Sequence, residues 1–182
     1  TGKLKNQMTK GDFVVTRLLK TDEKNRILYF LANGREPGRD PYFSHFYRVD
    51  FSGQNLKLLT PEDGNHSISL SPDGKYFVDN YSKPNVPPVS VLRNMKGDLL
   101  ATLEKADISK LTESGWKAPE PITVKSRDGK WDLYGLMFTP SNLDKTKKYP
   151  VVNYIYPGPQ GGGVGSRSFS AARSDHQAVA EL

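Results

Sequence analysis

The stretch KKYPVVNYIYPGPQ (residues 147–160) decides how the fold of this chain is interpreted. Charged residues open it, and five of the six residues after Pro150 are β-branched or aromatic, without polar alternation. A short apolar run bounded by turn residues is typical of a strand that is covered on both faces, as in a parallel sheet. Because the run ends in Pro-Gly-Pro, the sequence predicts that Tyr156 stands at the carboxyl edge of this strand, where open α/β sheets bind their ligands.

The chain before this stretch carries short strand signals that are separated by turn residues. The predicted strands cover 13–19, 26–32, 43–51 and 56–60, and then 67–70, 75–82, 89–93 and 98–103. Corresponding strands of the two sets lie about 40–50 residues apart, which is the period of a β-propeller blade. We therefore predict two four-stranded antiparallel blades. Because a closed propeller needs about 4–8 blades, we also expect the chain to be a piece of a longer protein.

The residues that follow the predicted blades predict a linker and then a small α/β part. A short helix is expected over 106–111, with Gly115 as its stop signal. Residues 122–125 and 131–138 predict a hairpin, and 170–182 predict a helix.

Composition excludes several classes of function. The chain has 182 residues, 36% hydrophobic and 25% charged, which is typical of a globular protein. It contains no cysteine, so disulfides, thiolate metal sites and a cysteine nucleophile are excluded. The net charge is +6, but the 26 basic residues are scattered among 20 acidic ones, and no nucleic-acid partner is expected. No apolar run approaches the roughly 20 residues that span a bilayer, so no membrane segment is expected in this piece.

The polar residues that could carry chemistry are few. Ser174, Asp175 and His176 are consecutive, and consecutive helical residues point about 100° apart, so they cannot converge on one substrate atom as a triad does. His45 and His66 are isolated histidines without a second ligand at a suitable spacing, so no metal site is predicted.

The glycine-rich loop over 161–165 lacks both the dinucleotide fingerprint and the Gly-Lys-Ser/Thr of a phosphate loop, so no cofactor is predicted. No Gly-x-Ser-x-Gly nucleophile elbow is present either. Tyr156 is the remaining candidate. It either packs against a sheet edge, or its phenol donates a hydrogen bond to a negative oxygen that forms on a substrate.

Two motifs together resemble a known family. The turn and strand SPDGKYFVDNYS (71–82) precede a linker and the strand KYPVVNYIYPGPQ (148–160). This arrangement resembles the dipeptidyl peptidase IV branch of the prolyl oligopeptidase family of serine peptidases, and its Tyr-x-Gly-Pro element is the most specific part. The resemblance implies the last two propeller blades over 1–104, a linker over 105–120, and the truncated start of an α/β-hydrolase domain over 121–182.

The resemblance also implies an activity, the release of Xaa-Pro or Xaa-Ala dipeptides from peptide N-termini. The family's oxyanion-hole tyrosine maps onto Tyr156, and Pro157 occupies the variable position of the motif. The family's catalytic serine, aspartate and histidine would lie beyond Leu182, so the piece would be inactive alone. The implied partners are a peptide substrate and the rest of its own propeller and hydrolase domain, with a possible homo-oligomer. The resemblance implies a periplasmic or extracytoplasmic location.

Two alternatives stay open from the sequence. One is a non-catalytic binding module derived from a propeller, and the other is an acyl-aminoacyl peptidase or endopeptidase of the same superfamily. A downstream nucleophile elbow would favour an enzyme, and an acidic pair for the substrate amine in earlier blades would favour the dipeptidase.

Overall fold

The computed structural model describes residues 2–155 and 165–182, and the chain divides into two compact units. Unit 1 comprises residues 1–82 and 88–105, and unit 2 comprises residues 83–87 and 106–182. No helix in the described ranges is both long and apolar enough to span a membrane.

Eight strands form two four-stranded antiparallel sheets, each with its strands in chain order. The first sheet contains β1 (Val14–Asp22), β2 (Ile27–Asn33), β3 (Ser44–Asp50) and β4 (Lys57–Leu58). The second contains β5 (Asn65–Leu70), β6 (Tyr76–Lys83), β7 (Val86–Asn94) and β8 (Leu99–Lys105). The predicted fold class, mainly β with two such sheets, is confirmed.

The turn between β5 and β6 forms where Ser-Pro-Asp-Gly predicts it. The Gly74 N–H donates to the Ser71 carbonyl over 2.9 Å, which closes the turn. The Asp73 carboxylate accepts hydrogen bonds from the Ser71 hydroxyl and the Lys75 N–H, and these bonds lower the pKa of Asp73. Side-chain bonds of this kind are the reason that Asp and Ser favour tight turns.

Strands β2 and β3 bury side chains on both of their faces. Tyr29 and Phe46 belong to a cluster with Leu59 and with Phe77 of the second sheet. The Phe46 and Phe77 rings meet edge to face with 5.0 Å between their centroids. The neighbouring residues Phe30 and Tyr47 point to the opposite face and form a second cluster with Ala32 and Val49. The alternation of side chains along a strand produces this division.

Gly97 brings the β7–β8 turn against the first sheet. Its φ is +91°, and a Cβ at this position would lie 3.1 Å from the Leu59 Cα. Both the left-handed backbone and the close approach require glycine. The Lys57 ammonium donates to the Lys96 carbonyl over 2.7 Å beside it, which adds a polar contact between the sheets.

Unit 2 contains α1 (Ser109–Glu113), the antiparallel pair β9 (Glu120–Lys125) and β10 (Asp132–Met137), and α2 (His176–Glu181). The helix predicted over 106–111 lies instead at Ser109–Glu113. Gly115 follows its end as predicted, with φ +87° and an N–H that donates to the Thr112 carbonyl. The Trp116 indole donates to the Ala171 carbonyl over 2.8 Å and packs on Phe169.

Two elements of the predicted α/β part differ in the structure. Residues 151–155 adopt no strand, and Val151 is 91% exposed, because a parallel strand forms only beside a hydrogen-bonding neighbour and these residues have none among the described ones. The helix predicted over 170–182 begins only at His176, because Ser174 has a left-handed φ of +51°, which a right-handed helix excludes. The α/β-hydrolase assignment stays a prediction.

The first cluster, which joins residues of both sheets, predicts the effect of a matched leucine pair. Leu59 is 1% exposed in the first cluster, whereas Leu103 on β8 is 51% exposed. We expect Leu59→Ala to lower the free energy of unfolding by about 2–5 kcal/mol, because it leaves a cavity. Urea denaturation measures the change. Leu103→Ala is the control, and equal losses in the two variants would contradict the assignment of the core.

Candidate functional site

The predicted oxyanion donor Tyr156 and residues 161–164 of the glycine-rich loop lie outside the described residues. The role of Tyr156 therefore stays a prediction. Two residues before it in the sequence, the Tyr154 ring centroid lies 4.9 Å from that of His176.

The consecutive Ser174, Asp175 and His176 do not form a nucleophile and base. The Ser174 hydroxyl donates to the Asp175 carboxylate over 3.2 Å. The His176 Nδ1 lies 3.6 Å from the same carboxylate, beyond hydrogen-bond distance. A catalytic serine must bond to the histidine that takes its proton, so this geometry lacks the contact on which a triad depends.

A cluster of buried charged and polar side chains lies in unit 1. His66 on β5, Asp79 on β6 and Arg93 on β7 are each almost wholly buried. The Arg93 Nε donates to Asp79 over 3.4 Å, and another guanidinium nitrogen pairs with the Glu62 carboxylate. A third nitrogen donates to the Gly97 carbonyl over 3.1 Å. Arg93 therefore joins two carboxylates to the β7–β8 turn.

His66 is the fourth member of this cluster. Its Nδ1 lies 2.8 Å from Asp79 Oδ1, and its Nε2 lies 3.0 Å from the Glu62 carbonyl oxygen. Both partners offer acceptor oxygens, so each ring nitrogen of His66 faces an acceptor. His66 and Arg93 therefore both contact Asp79 and Glu62, His66 through the Glu62 backbone and Arg93 through its carboxylate.

The same residues have the composition of a metal site, and their geometry argues against one. One ligand atom from each of Glu62, His66 and Asp79 lies within 4.8 Å of the others. However, Arg93 already contacts both carboxylates, and both ring nitrogens of His66 already face oxygens of Asp79 and Glu62. The sequence-based description of His66 as an isolated histidine is wrong, because β5 and β6 place it beside Asp79.

His45 lies beside the cluster and is held in its neutral form. The ring is 2% exposed, its centroid lies 4.9 Å from that of His66, and its Nδ1 bonds to the Thr60 carbonyl over 3.2 Å. Its Nε2 is buried without a hydrogen-bond partner. Burial lowers the pKa of His45 to about 4, and the charges of His66 and Arg39 add to this effect.

Sequence reasoning missed this cluster, although a signal was present. Asp79 lies two residues after Phe77 on β6, and Arg93 lies two residues after Val91 on β7, so each charged residue is on the same face of its strand as the apolar one. All four side chains are buried. Opposite charges at inward positions of neighbouring strands indicate a buried ion pair. The cluster joins strands rather than lining a cavity, so we assign it to the architecture of the sheets.

Comparison with known proteins gives the family context. Residues 1–88 match the model of the dipeptidyl peptidase IV N-terminal region. A relative from Tuber melanosporum named "Probable dipeptidyl-aminopeptidase B" is 31% identical over 90% of this chain. Dipeptidyl peptidase 4 of Arthroderma otae is 32% identical over 84% of it. The chain covers 18% and 20% of the lengths of these two relatives.

A solved structure shares the fold. The crystal structure of Porphyromonas gingivalis dipeptidyl peptidase 4 superposes with a TM-score of 0.72 over 99% of this chain and 25% of that chain, at 22% identity.

The buried ion pairs predict a large cost for removing their cation. We expect Arg93→Met to lower the free energy of unfolding by about 3–5 kcal/mol, because Asp79 and Glu62 lose a charge partner inside the fold. Denaturant unfolding measures this loss. The control is Lys75→Met, because Lys75 pairs with Asp73 at the surface over 3.6 Å, where both side chains are exposed. A midpoint shift as small as that of the control would contradict the role of Arg93.

The buried His45 predicts a loss of stability in acid. Its pKa in the folded chain, about 4, lies below the value near 6.5 of an unfolded histidine. The stabilisation is therefore complete above pH 6.5 and is lost as the pH falls towards 4, by about 3 kcal/mol. We expect His45→Asn, which keeps a donor for the Thr60 carbonyl, to lose less stability over this interval. Unfolding curves between pH 7 and 4.5 test this, and equal losses in parent and variant would contradict it.

Proposed function

We propose that the chain is a segment of a serine-type dipeptidyl aminopeptidase of the prolyl oligopeptidase family, because it is similar to dipeptidyl peptidase IV-like proteins over most of its length. The proposed reaction releases N-terminal dipeptides, with proline or alanine at the second position, from peptide substrates. The chain would supply two propeller blades and the beginning of the hydrolase domain.

One observation carries the proposal. Relatives named for dipeptidyl peptidase activity match 84–90% of the chain, and this chain contains the Tyr-x-Gly-Pro element at residues 156–159. A similarity limited to the blades would support only a shared scaffold, because propellers occur in many binding proteins. The matches extend well beyond residue 104, so they cover part of the proposed hydrolase portion as well.

In the proposed mechanism, a serine attacks the carbonyl carbon of the scissile bond, and a histidine takes the serine proton. Negative charge then develops on the carbonyl oxygen. The Tyr156 phenol would donate a hydrogen bond to this oxygen, together with a backbone N–H next to the nucleophile. The donor is useful because the bond strengthens as the charge forms, so it stabilises the transition state more than the bound substrate.

The serine and histidine of this mechanism would come from sequence beyond the present chain. The hydroxyl of Ser174 bonds to Asp175 rather than to a histidine, so this group does not offer a substitute. We propose that the 182 residues alone do not hydrolyse peptides. The substrate amino group would be recognised by acidic side chains of earlier blades, and a carboxylate pair suits a protonated amine.

A matched pair of tyrosine variants tests the proposed donor. In the full-length enzyme we expect Tyr156→Phe to lower kcat about 10²–10³-fold, because it removes one oxyanion-hole hydrogen bond and retains the ring. KM for a chromogenic Gly-Pro amide should change little. Tyr76→Phe is the control, since it removes the phenol of an exposed tyrosine on β6. An unchanged kcat in Tyr156→Phe would remove this residue from the mechanism.

A further inference from the structure

Residues 60–62, which lead from the first sheet to the second, are held through their carbonyl groups by basic side chains of both sheets. The His45 Nδ1 lies 3.2 Å from the first of these carbonyl oxygens, that of Thr60. Arg39, in the loop between β2 and β3, donates to the next two over 2.8 and 3.0 Å. The His66 Nε2 lies 3.0 Å from the last one. The crossing segment thus depends on side chains that precede it and on one that follows it.

Strand β3 contacts the second sheet through two separate links. His45 and Phe46 are consecutive, so their side chains point to opposite faces of the strand. Phe46 packs on the second sheet within the apolar cluster described above, whereas the centroid of the His45 ring lies 4.9 Å from that of His66 on β5, with a tilt of 42°. Beside the two histidines, the Ser44 N–H donates to the side-chain oxygen of Asn65 over 2.9 Å. The histidine link can therefore open while the apolar link stays in place.

The position of His45 suits the neutral ring and not the charged one. The Thr60 carbonyl is an acceptor, so the neutral ring carries its proton on Nδ1 and a lone pair on Nε2. The side chain is almost wholly buried, and its Nε2 has no hydrogen-bond partner among the described residues. A second proton would create a buried positive charge and a buried N–H donor that lacks an acceptor, and both are costly.

The charged and titratable groups that face His45 come from β5, from β3 and from the loop between β2 and β3. Burial has the largest effect on the pKa of His45, and His66 and Arg39 lower it further, to about 4. Glu36 of the loop and the hydrogen bond to the crossing segment act in the opposite direction and are weaker. The Glu36 carboxylate is already engaged, because the Tyr47 phenol donates to it over 2.9 Å. The Tyr47 ring itself meets His45 edge-on, with 6.5 Å between centroids.

We propose that the contact between His45 and His66 is an acid-sensitive latch between the two sheets. In acid, His45 takes up a proton, and β3 moves away from β5 at this point while each sheet keeps its own strand pairing. Proton uptake and opening are coupled because the ring binds a proton more tightly once it reaches water. The latch is closed above pH 6.5 and opens progressively as the pH falls towards 4. The apolar link of Phe46 does not titrate in this interval, so it limits the opening to the histidine side.

Hydrogen exchange in the full-length protein tests the latch, with single residues resolved by mass spectrometry and rates corrected for the intrinsic effect of pH. The Ser44 amide reports opening, because its acceptor lies on the other sheet. The amides of β2 are the internal reference, since this strand is paired on both sides. Between pH 7 and 5 we expect the opening equilibrium at Ser44 to rise about 20-fold, because the ring has a pKa near 6.5 when open and about 4 when closed. An unchanged Ser44 amide, or an equal rise in β2, would overturn the proposal, since an equal rise means unfolding of the whole sheet.

Matched histidine variants assign the effect to His45. His45→Asn keeps a donor for the Thr60 carbonyl and does not titrate in this range, so the rise at Ser44 should shrink to less than about 2-fold. His176→Asn removes a histidine from unit 2 and should keep the full rise. A rise in His45→Asn as large as that of the parent would assign the acid response to the neighbouring carboxylates and overturn the proposal. If His45→Asn fails to fold, the comparison of Ser44 with β2 in the parent protein still decides.

Discussion

The contact of Arg93 with Asp79 and Glu62 constrains the arrangement of unit 1 more than any other interaction described above. One guanidinium reaches two carboxylates and the Gly97 carbonyl, so it connects β6, the residues before β5 and the β7–β8 turn. Removing these charges from water is costly, and only a complete set of partners compensates for the cost. The set is complete when β5, β6 and β7 lie side by side as observed and the residues before β5 lie against them, since His66 also contacts Asp79 and the Glu62 carbonyl. The cluster of Tyr29, Phe46 and Leu59 with Phe77 provides the apolar contact between the two sheets.

The strands of both sheets could be predicted because each of their signals is local. Alternation and turn residues such as Ser-Pro-Asp-Gly act within fewer than ten residues, so a pattern in the sequence is enough to place them. The polar cluster was harder to predict because its members are distant in sequence. Glu62 and Arg93 are 31 residues apart, and His66 and Asp79 are 13 apart. Residues that share one helix or strand show a regular sequence spacing that can reveal a ligand set. Residues that meet across different strands show no such spacing.

The α/β part shows the limit of such patterns. Residues 151–155 have the composition of a buried strand. Composition indicates a preference for strand conformation, but it does not show whether a neighbouring strand is present to form the hydrogen bonds. The start of α2 depends on the single backbone angle of Ser174, which no propensity scale predicts.

Tyr156 was identified from a resemblance rather than from periodicity, and its role remains a hypothesis. His176 was considered as a base and rejected, whereas its contacts with Phe138 and Tyr154 give it a packing role that the sequence alone did not suggest.

The outer strand β8 has a consequence for handling the chain in solution. All seven of its residues are exposed, and three of them are leucines. It ends the order of its sheet, so one row of its backbone N–H and C=O groups faces outward. An apolar strand of this kind is a template for a foreign strand, and charged residues such as Glu104 and Lys105 at its end oppose that addition only in part. The isolated polypeptide should therefore aggregate increasingly as it is concentrated, and a lysine introduced among these leucines should slow the process.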